Sequence, residues 1–299
     1  MRIVDAHHHF WDLDRNYYPW LSDHPEANFF LGDYSALKSN YLPADYRRDA
    51  HGFEIIATVH VEAEFDRKAQ VAETAWLHDL AAAEALPSVV VGHVWLANDN
   101  CEDVLRGHMA YPMFRGVRSK PVTSPNPKSM QPGAPGTIQD PKWQKGLSLL
   151  EKLDLTYDLR VPFWHLYEAA DAVGQHNNLK IVLNHAGFPW DRSDAGIAAW
   201  REAMSAISKC PNVHLKLSEL GLKDAPWTVD GNRRVLRDAV EIFGIERCMW
   251  ASNFPVAGLR IGYREQIEGV LEILSDLSSA EIDRIFWRNA SAFYSIEVV

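Results

Sequence analysis

Cysteine is scarce in this chain, with only Cys101, Cys210 and Cys248 among 299 residues. Their number is odd, they lie far apart, and no Cys-x-x-Cys pattern occurs. They read as reduced, mostly packed thiols and not as a disulfide framework. No apolar run approaches the length needed to span a bilayer. Met1 to Asp5 lacks the apolar core of a signal peptide, so a cytoplasmic location is the expectation. Basic residues are outnumbered, 30 Lys and Arg against 40 Asp and Glu, which gives a formal net charge of −10. With no Lys/Arg-rich run, neither nucleic acid nor an anionic membrane is an expected partner. No Gly-x-Gly-x-x-Gly follows an early strand, which counts against a dinucleotide-binding fold. Short repeats, low-complexity tracts and linkers are missing too, so one domain over residues 1–299 is expected.

What the chain does have is a 47% hydrophobic content arranged in short β-branched runs. Eight of them fall at residues 3–7, 55–61, 89–95, 114–118, 156–161, 180–185, 213–218 and 248–253. Helical periodicity fills segments 68–86, 143–153, 165–176, 197–208 and 229–243, and segments 263–274 and 280–293 close the chain. Strands alternating with helices imply parallel pairing through crossovers. Eight such units in this length fit a single-domain α/β fold, a (β/α)8 TIM-like barrel, better than an open sheet. Long loops follow strand one (residues 11–48) and strand four (residues 119–141). Both leave the carboxyl ends of strands, where they can form lids or substrate walls. The first is rich in aromatics, Trp20 among them.

Polar residues gather at those same strand ends. On strand one, Asp5-Ala6-His7-His8-His9 places His7 and His9 on one face and His8 with Phe10 on the other. Strand two ends in His60 and Glu62, strand four in Arg115 and Arg118, strand five in Tyr157, Asp158 and Arg160. Strand six ends in Asn184-His185, strand seven in Lys216 to Glu219, strand eight in Ser252-Asn253. Ionisable groups there are poor core filling, because a barrel interior is packed mainly with branched apolar residues. Paired imidazoles can bind a divalent metal or polarise a carbonyl. An arginine on that face can clamp a substrate carboxylate. For Glu62 and Glu219 a site role and a plain ion pair stand even, and Asp158 with Lys216 reads as a structural pair. His24, His51, His78, His93, His108, His176 and His214 read as ordinary residues.

The opening Asp5-Ala6-His7-His8-His9-Phe10-Trp11, followed by Tyr17-Tyr18-Pro19-Trp20-Leu21, resembles the amidohydrolase-2 family of the amidohydrolase superfamily. The likeness is to its TIM-barrel hydrolase branch, which contains sugar-acid and dicarboxylate lactonases. It continues through Val59–Glu62, Phe114–Arg118, Ile181–Pro189, Lys216–Ser218 and Met249–Val256. The resemblance implies hydrolysis of a small anionic lactone or related ester. It places His7, His9 and His185 around one divalent metal (zinc or manganese) or, in a metal-independent variant, around the substrate carbonyl. It implies substrate contacts from Arg115 and Arg118, and Tyr157, Trp20 and His60 complete the expected binding set.

The chain departs from the family at one position. Where the family carries an aspartate as general base on strand eight, this sequence reads Ala251-Ser252-Asn253-Phe254-Pro255. An amide has no basic lone pair near neutral pH, so Asn253 can orient water or substrate but cannot take its proton. Either another base has taken over, with Glu219 and Glu62 the candidates, or the chain is an inactivated Asp→Asn variant, or it is a ligand-binding barrel. A metal-dependent decarboxylase is the remaining enzyme alternative. Oligomeric state is open, and the aromatic loops are where a second copy would be expected to dock.

Overall fold

The computed structural model describes residues 1–298. Eight strands form one parallel sheet in chain order: β1 (Arg2–His8), β2 (Glu54–Val61), β3 (Val89–Gly92), β4 (Phe114–Val117), β5 (Thr156–Leu159), β6 (Ile181–Leu183), β7 (Val213–Leu217) and β8 (Cys248–Trp250). Sequential parallel neighbours require a helix in each crossover. The helices are α1 (Pro43–Asp49), α2 (Gln70–Glu84), α3 (Cys101–Met109), α4 (Pro141–Lys152), α5 (Leu166–Val173), α6 (Asp194–Ile207), α7 (Val229–Phe243) and α8 (Tyr263–Ile273). Several start on side-chain caps. Asp140 accepts from the Lys142 amide with Pro141 at the first helical position, and Ser193 and Thr228 cap α6 and α7. The short helices α1 and α3 were not anticipated from the sequence.

The sheet closes where β8 meets β1, at its carboxyl end. The Asn253 amide donates to His7 O at 2.7 Å and the His9 amide donates to Phe254 O at 2.8 Å. Asp5 locks this seam. Its carboxylate accepts from the Ser252 amide and hydroxyl and from the Tyr46 hydroxyl, at 2.9, 2.6 and 2.9 Å. The barrel interior packs Val4, Ala6, Val59, Val61, Val91, Val182 and Met249, and the closing helical segment plugs it with Phe293 and Tyr294. Each fully buried side chain of this size contributes roughly 1.5–3 kcal/mol.

Both long loops are tied down. Trp11 and Tyr41 bridge the first loop, and Trp20 Nε1 donates to Ala63 O at 2.9 Å. The second is held by Tyr157, which donates to Ser119 O at 2.9 Å, and by Trp164, which donates to Ser124 O at 3.1 Å. Among the described residues no helix is long and apolar enough to cross a membrane.

Candidate active site

The strands end earlier than their apolar runs. β6 stops at Leu183 and β8 at Trp250, and the polar residues beyond them occupy sharp turns. His185 (φ 58°), Glu219 (φ 47°) and Asn253 (φ 54°) all sit in the left-handed region. For a residue with a Cβ that conformation costs of order 1–2 kcal/mol, least for Asn. Three such residues at the mouth of one barrel are held there by their surroundings. The turns direct His185 and Asn253 into a cleft of about 640 Å³ at the carboxyl face.

His9, His185, Arg118 and Asn253 line that cleft together with Arg67, Lys120 and Arg160. Trp20, Phe29, Phe30, Phe65 and Trp190 form the aromatic part of its wall. His7 lies beneath, its ring 5.0 Å from that of His9 and 4.8 Å from that of His185. His8 faces away, packed on Phe10 and Tyr46. Burial holds all three cluster histidines well below the usual imidazole range. Lys216 adds to this at His7, and Arg118 at His9. They are therefore neutral rings.

A line of contacts crosses the floor. His9 Nδ1 lies 2.7 Å from Val61 O, which can only accept, so Nδ1 carries the proton and Nε2 the lone pair. Nε2 faces Asn253 Oδ1 at 3.2 Å, and Asn253 Nδ2 donates to Glu219 Oε2 at 2.5 Å. Burial raises the Glu219 carboxyl to about 7, against the lowering effect of its bond from Asn253. Glu219 thus stands behind Asn253 and does not itself line the cleft. On the far side, Arg118 Nε donates to Glu62 Oε1 at 2.7 Å and Arg67 Nη1 donates to Glu62 Oε2 at 2.9 Å. Burial pushes the Glu62 carboxyl up, but Arg67, Arg118 and Lys120 outweigh it and hold it well below the ordinary carboxylate range. So held, Glu62 aims Arg118 and makes a poor base.

Three of the expected binding residues are placed elsewhere. Arg115 lies at the amino end of β4, away from the cleft, donating to Tyr294 O at 3.0 Å and Pro112 O at 2.6 Å. Tyr157 points to the outside of β5, where its hydroxyl fixes the second loop. His60 is also outside. Its Nδ1 accepts from the Phe10 amide at 3.1 Å and its Nε2 lies 3.6 Å from Glu73. Burial lowers His60 to about 3 and raises Glu73 to about 8, so that pair is neutral near pH 7. Asp158 and Lys216 form a buried ion pair within the barrel, and Tyr294 donates to Asp158 Oδ2 at 2.8 Å. Arg160 was overlooked as a site residue. The available signal was its two-residue spacing from Asp158, which puts both on one face of β5.

The resemblance implies a divalent metal, and the donor set here does not fit one. His7 has Lys216 Nζ 3.4 Å from Nδ1 and Arg118 Nη1 3.4 Å from Nε2, so cationic groups face both of its nitrogens. The strand-eight position that would supply an anionic ligand is an amide. Among the described residues no group of three or more His, Cys, Asp or Glu side chains is disposed to hold a metal ion.

An eight-stranded barrel with basic and imidazole groups converging at its carboxyl face defines a class of TIM-barrel enzymes. Within that class, the Amidohydrolase family model (Amidohydro_2) matches residues 4–296, and the chain belongs to this family. It is 33% identical to the uncharacterized protein y4mH of Sinorhizobium fredii, over 98% of both chains. It is 27% identical to an L-fucono-1,5-lactonase of Burkholderia multivorans, over 98% of this chain and 96% of that one. A crystal structure of an amidohydrolase from Burkholderia multivorans with bound zinc superposes with a TM-score of 0.80 at 26% identity, covering 99% of this chain and 100% of the other.

Proposed function

We propose that this chain hydrolyses small lactones, with water activated between His9 and Asn253 and the carbonyl drawn towards Arg118 and His185. The observation that carries this reading is the line from Val61 O through His9 and Asn253 to Glu219. In neutral His9 the Nε2 lone pair opposes Asn253 Oδ1 at 3.2 Å, two acceptors with no proton between them. A water donating one hydrogen to each satisfies both and turns a lone pair to the cleft. As its oxygen bonds to the carbonyl carbon, the carbonyl electron pair moves to oxygen, beside the Arg118 guanidinium. The water proton passes to His9 Nε2. Burial and Arg118 make the ring a weak base, and its new N–H is stabilised by donating to Asn253 Oδ1 with the Glu219 carboxylate behind that amide. Glu219, as carboxylate, holds the other end of that amide. Collapse breaks the bond to the ring oxygen, which takes the proton from His9 and leaves an open hydroxy acid.

Asn253 and Glu219 together thus support the step that a strand-eight carboxylate is expected to perform alone. The lactonase named among the relatives supports the reaction class, at 27% identity over nearly the whole chain. A decarboxylase would need a metal as electron sink, and the donor set around His7 does not fit one. The test is proton release from L-fucono-1,5-lactone, L-rhamnono-γ-lactone and simpler five- and six-membered lactones, each ring size with and without a carboxylate substituent, in the presence and absence of chelator. Turnover that survives chelation and falls about 100-fold in Asn253→Ala is expected. Folded protein inert on the whole panel overturns the reading.

A further inference from the structure

Arg67, Arg118, Lys120 and Arg160 put four cationic side chains on the cleft wall. Three are already matched by acids. Arg118 and Arg67 share Glu62, and Arg67 and Lys120 flank Glu64. Arg160 differs. Among the described residues its guanidinium has no ion pair and no hydrogen bond to the protein, and it lies over the rings of Phe188 and Phe30 at 4.8 and 5.9 Å. Glu62, Glu219 and Glu26 feel its charge, but none stands within ion-pair distance. Stacking on two rings fixes a planar guanidinium and leaves its N–H edge free to face the cleft. Burial and the nearby Arg118 lower Arg160 to about 10, so it stays charged at neutral pH. It is also near enough to His185 to depress that ring's basicity, which puts it beside the reacting end of the cleft.

An arginine stacked in a wall without a carboxylate is completed by an anion arriving from the cleft. We propose that Arg160 seats a single carboxylate of the substrate, next to the aromatic wall of Trp20, Phe29, Phe30 and Trp190. The substrate class is then a monocarboxylate with one apolar or ring face. The word lactone in that class rests on the reading above, but the carboxylate seat does not. Because the other three cations are matched, a second carboxylate has no free partner, and a neutral sugar lactone would leave Arg160 unanswered.

The test uses probes that carry no hydrolysable ester: cyclopentanecarboxylate and its neutral isostere cyclopentanecarboxamide, titrated calorimetrically into wild type, Arg160→Gln and Arg160→Lys. Wild type is expected to bind the carboxylate about tenfold or more tighter than the amide, the scale of a charge-assisted contact. Arg160→Gln should abolish that preference and leave amide affinity within about twofold, and Arg160→Lys should retain part of it. Near-UV circular dichroism checks the fold of each variant. If Arg160→Gln is misfolded, the partial preference in Arg160→Lys decides. Equal binding of both probes by wild type overturns the seat, as does a preference that persists in Arg160→Gln or equal weakening of both probes. A preference intact in protein that opens no lactone supports the seat while overturning the hydrolase reading.

Discussion

The two sides of the cleft are built from similar residues and do opposite things. On the strand-two and strand-four side, Glu62, Glu64, Arg67, Arg118 and Lys120 neutralise one another. Opposite them, Arg160 is without a carboxylate, and Glu219 accepts from amides, the Asn253 side chain and the Gly221 backbone, with no cation in ion-pair contact among the described residues. A buried charge with a close partner is held rigidly and its basicity is suppressed, whereas one without a partner keeps its capacity to bind or respond. The paired side is therefore scaffold with one protruding arginine. The unpaired side is where ligand binding and proton movement are expected.

The largest effect should come from breaking the paired side. Glu62→Ala leaves Arg118 buried without its acid, and removing one partner of such a pair typically costs about 3–5 kcal/mol. Chemical denaturation at pH 7 would read this as a lower midpoint at unchanged slope. A loss under about 1 kcal/mol would mean Arg118 re-pairs easily, and the contrast between the two sides would fail.

Glu219→Gln should separate activity from stability. Without the carboxylate to fix Asn253, kcat is expected to fall about 100-fold. Stability should move the other way above neutrality. The folded Glu219 carboxyl is raised from 4.5 to about 7, so the unfolded chain ionises first as pH rises. Its favourable contribution is complete below about pH 4.5 and is lost as pH climbs to about 7. That shift corresponds to about 3 kcal/mol, so Glu219→Gln should be more stable than wild type at pH 8 and equal near pH 4. Denaturation at both pH values checks the sign. Wild-type turnover should in turn fall about tenfold per unit below pH 7, because the neutral acid still accepts from Asn253 but no longer supplies the negative charge behind the amide. A flat profile between pH 5 and 8 would remove Glu219 from the mechanism.

The barrel was legible because its strands are buried on both faces and read as short β-branched runs. Their ends were not. Residues 184–188, 218–219 and 251–254 keep the composition of a strand while the chain has already turned into left-handed conformations. Which face a side chain takes was also only partly readable. The two-residue period correctly separates His7 and His9 from His8. Yet on β2 it groups His60 with Glu62, although the strand ends at Val61 and Glu62 swings to Arg118. On β5 the period pairs Asp158 with Arg160 and separates both from Tyr157, but nothing local says which of the two faces is the inner one. The seam between β8 and β1 depends on Asp5 reaching Ser252, a contact across 247 positions that no local pattern reveals.

The smallest effect is the sharpest test of the side-chain placement on β4. Arg115 and Arg118 are three residues apart, and the register of β4 against β3 shifts between Phe114 and Gly116, so Arg115 is the extra residue at the amino end while Arg118 reaches the cleft. Thr156 backbone would lie 2.2 Å from any Cβ at Gly116, so this stretch of β4 is pressed against β5. That tight pairing leaves little freedom for the strand to shift and bring Arg115 to the cleft. Its guanidinium instead ties carbonyls of Pro112 and Tyr294 at the amino end of the barrel. Arg115→Ala should cost about 1 kcal/mol of stability, the usual net worth of such contacts in a half-exposed setting. It should leave kcat/KM for any lactone unchanged, whereas Arg118→Ala should lower it steeply. If Arg115→Ala instead raised KM for acidic substrates alone, Arg115 would belong to the cleft and the strand would have to be shifted from the position described.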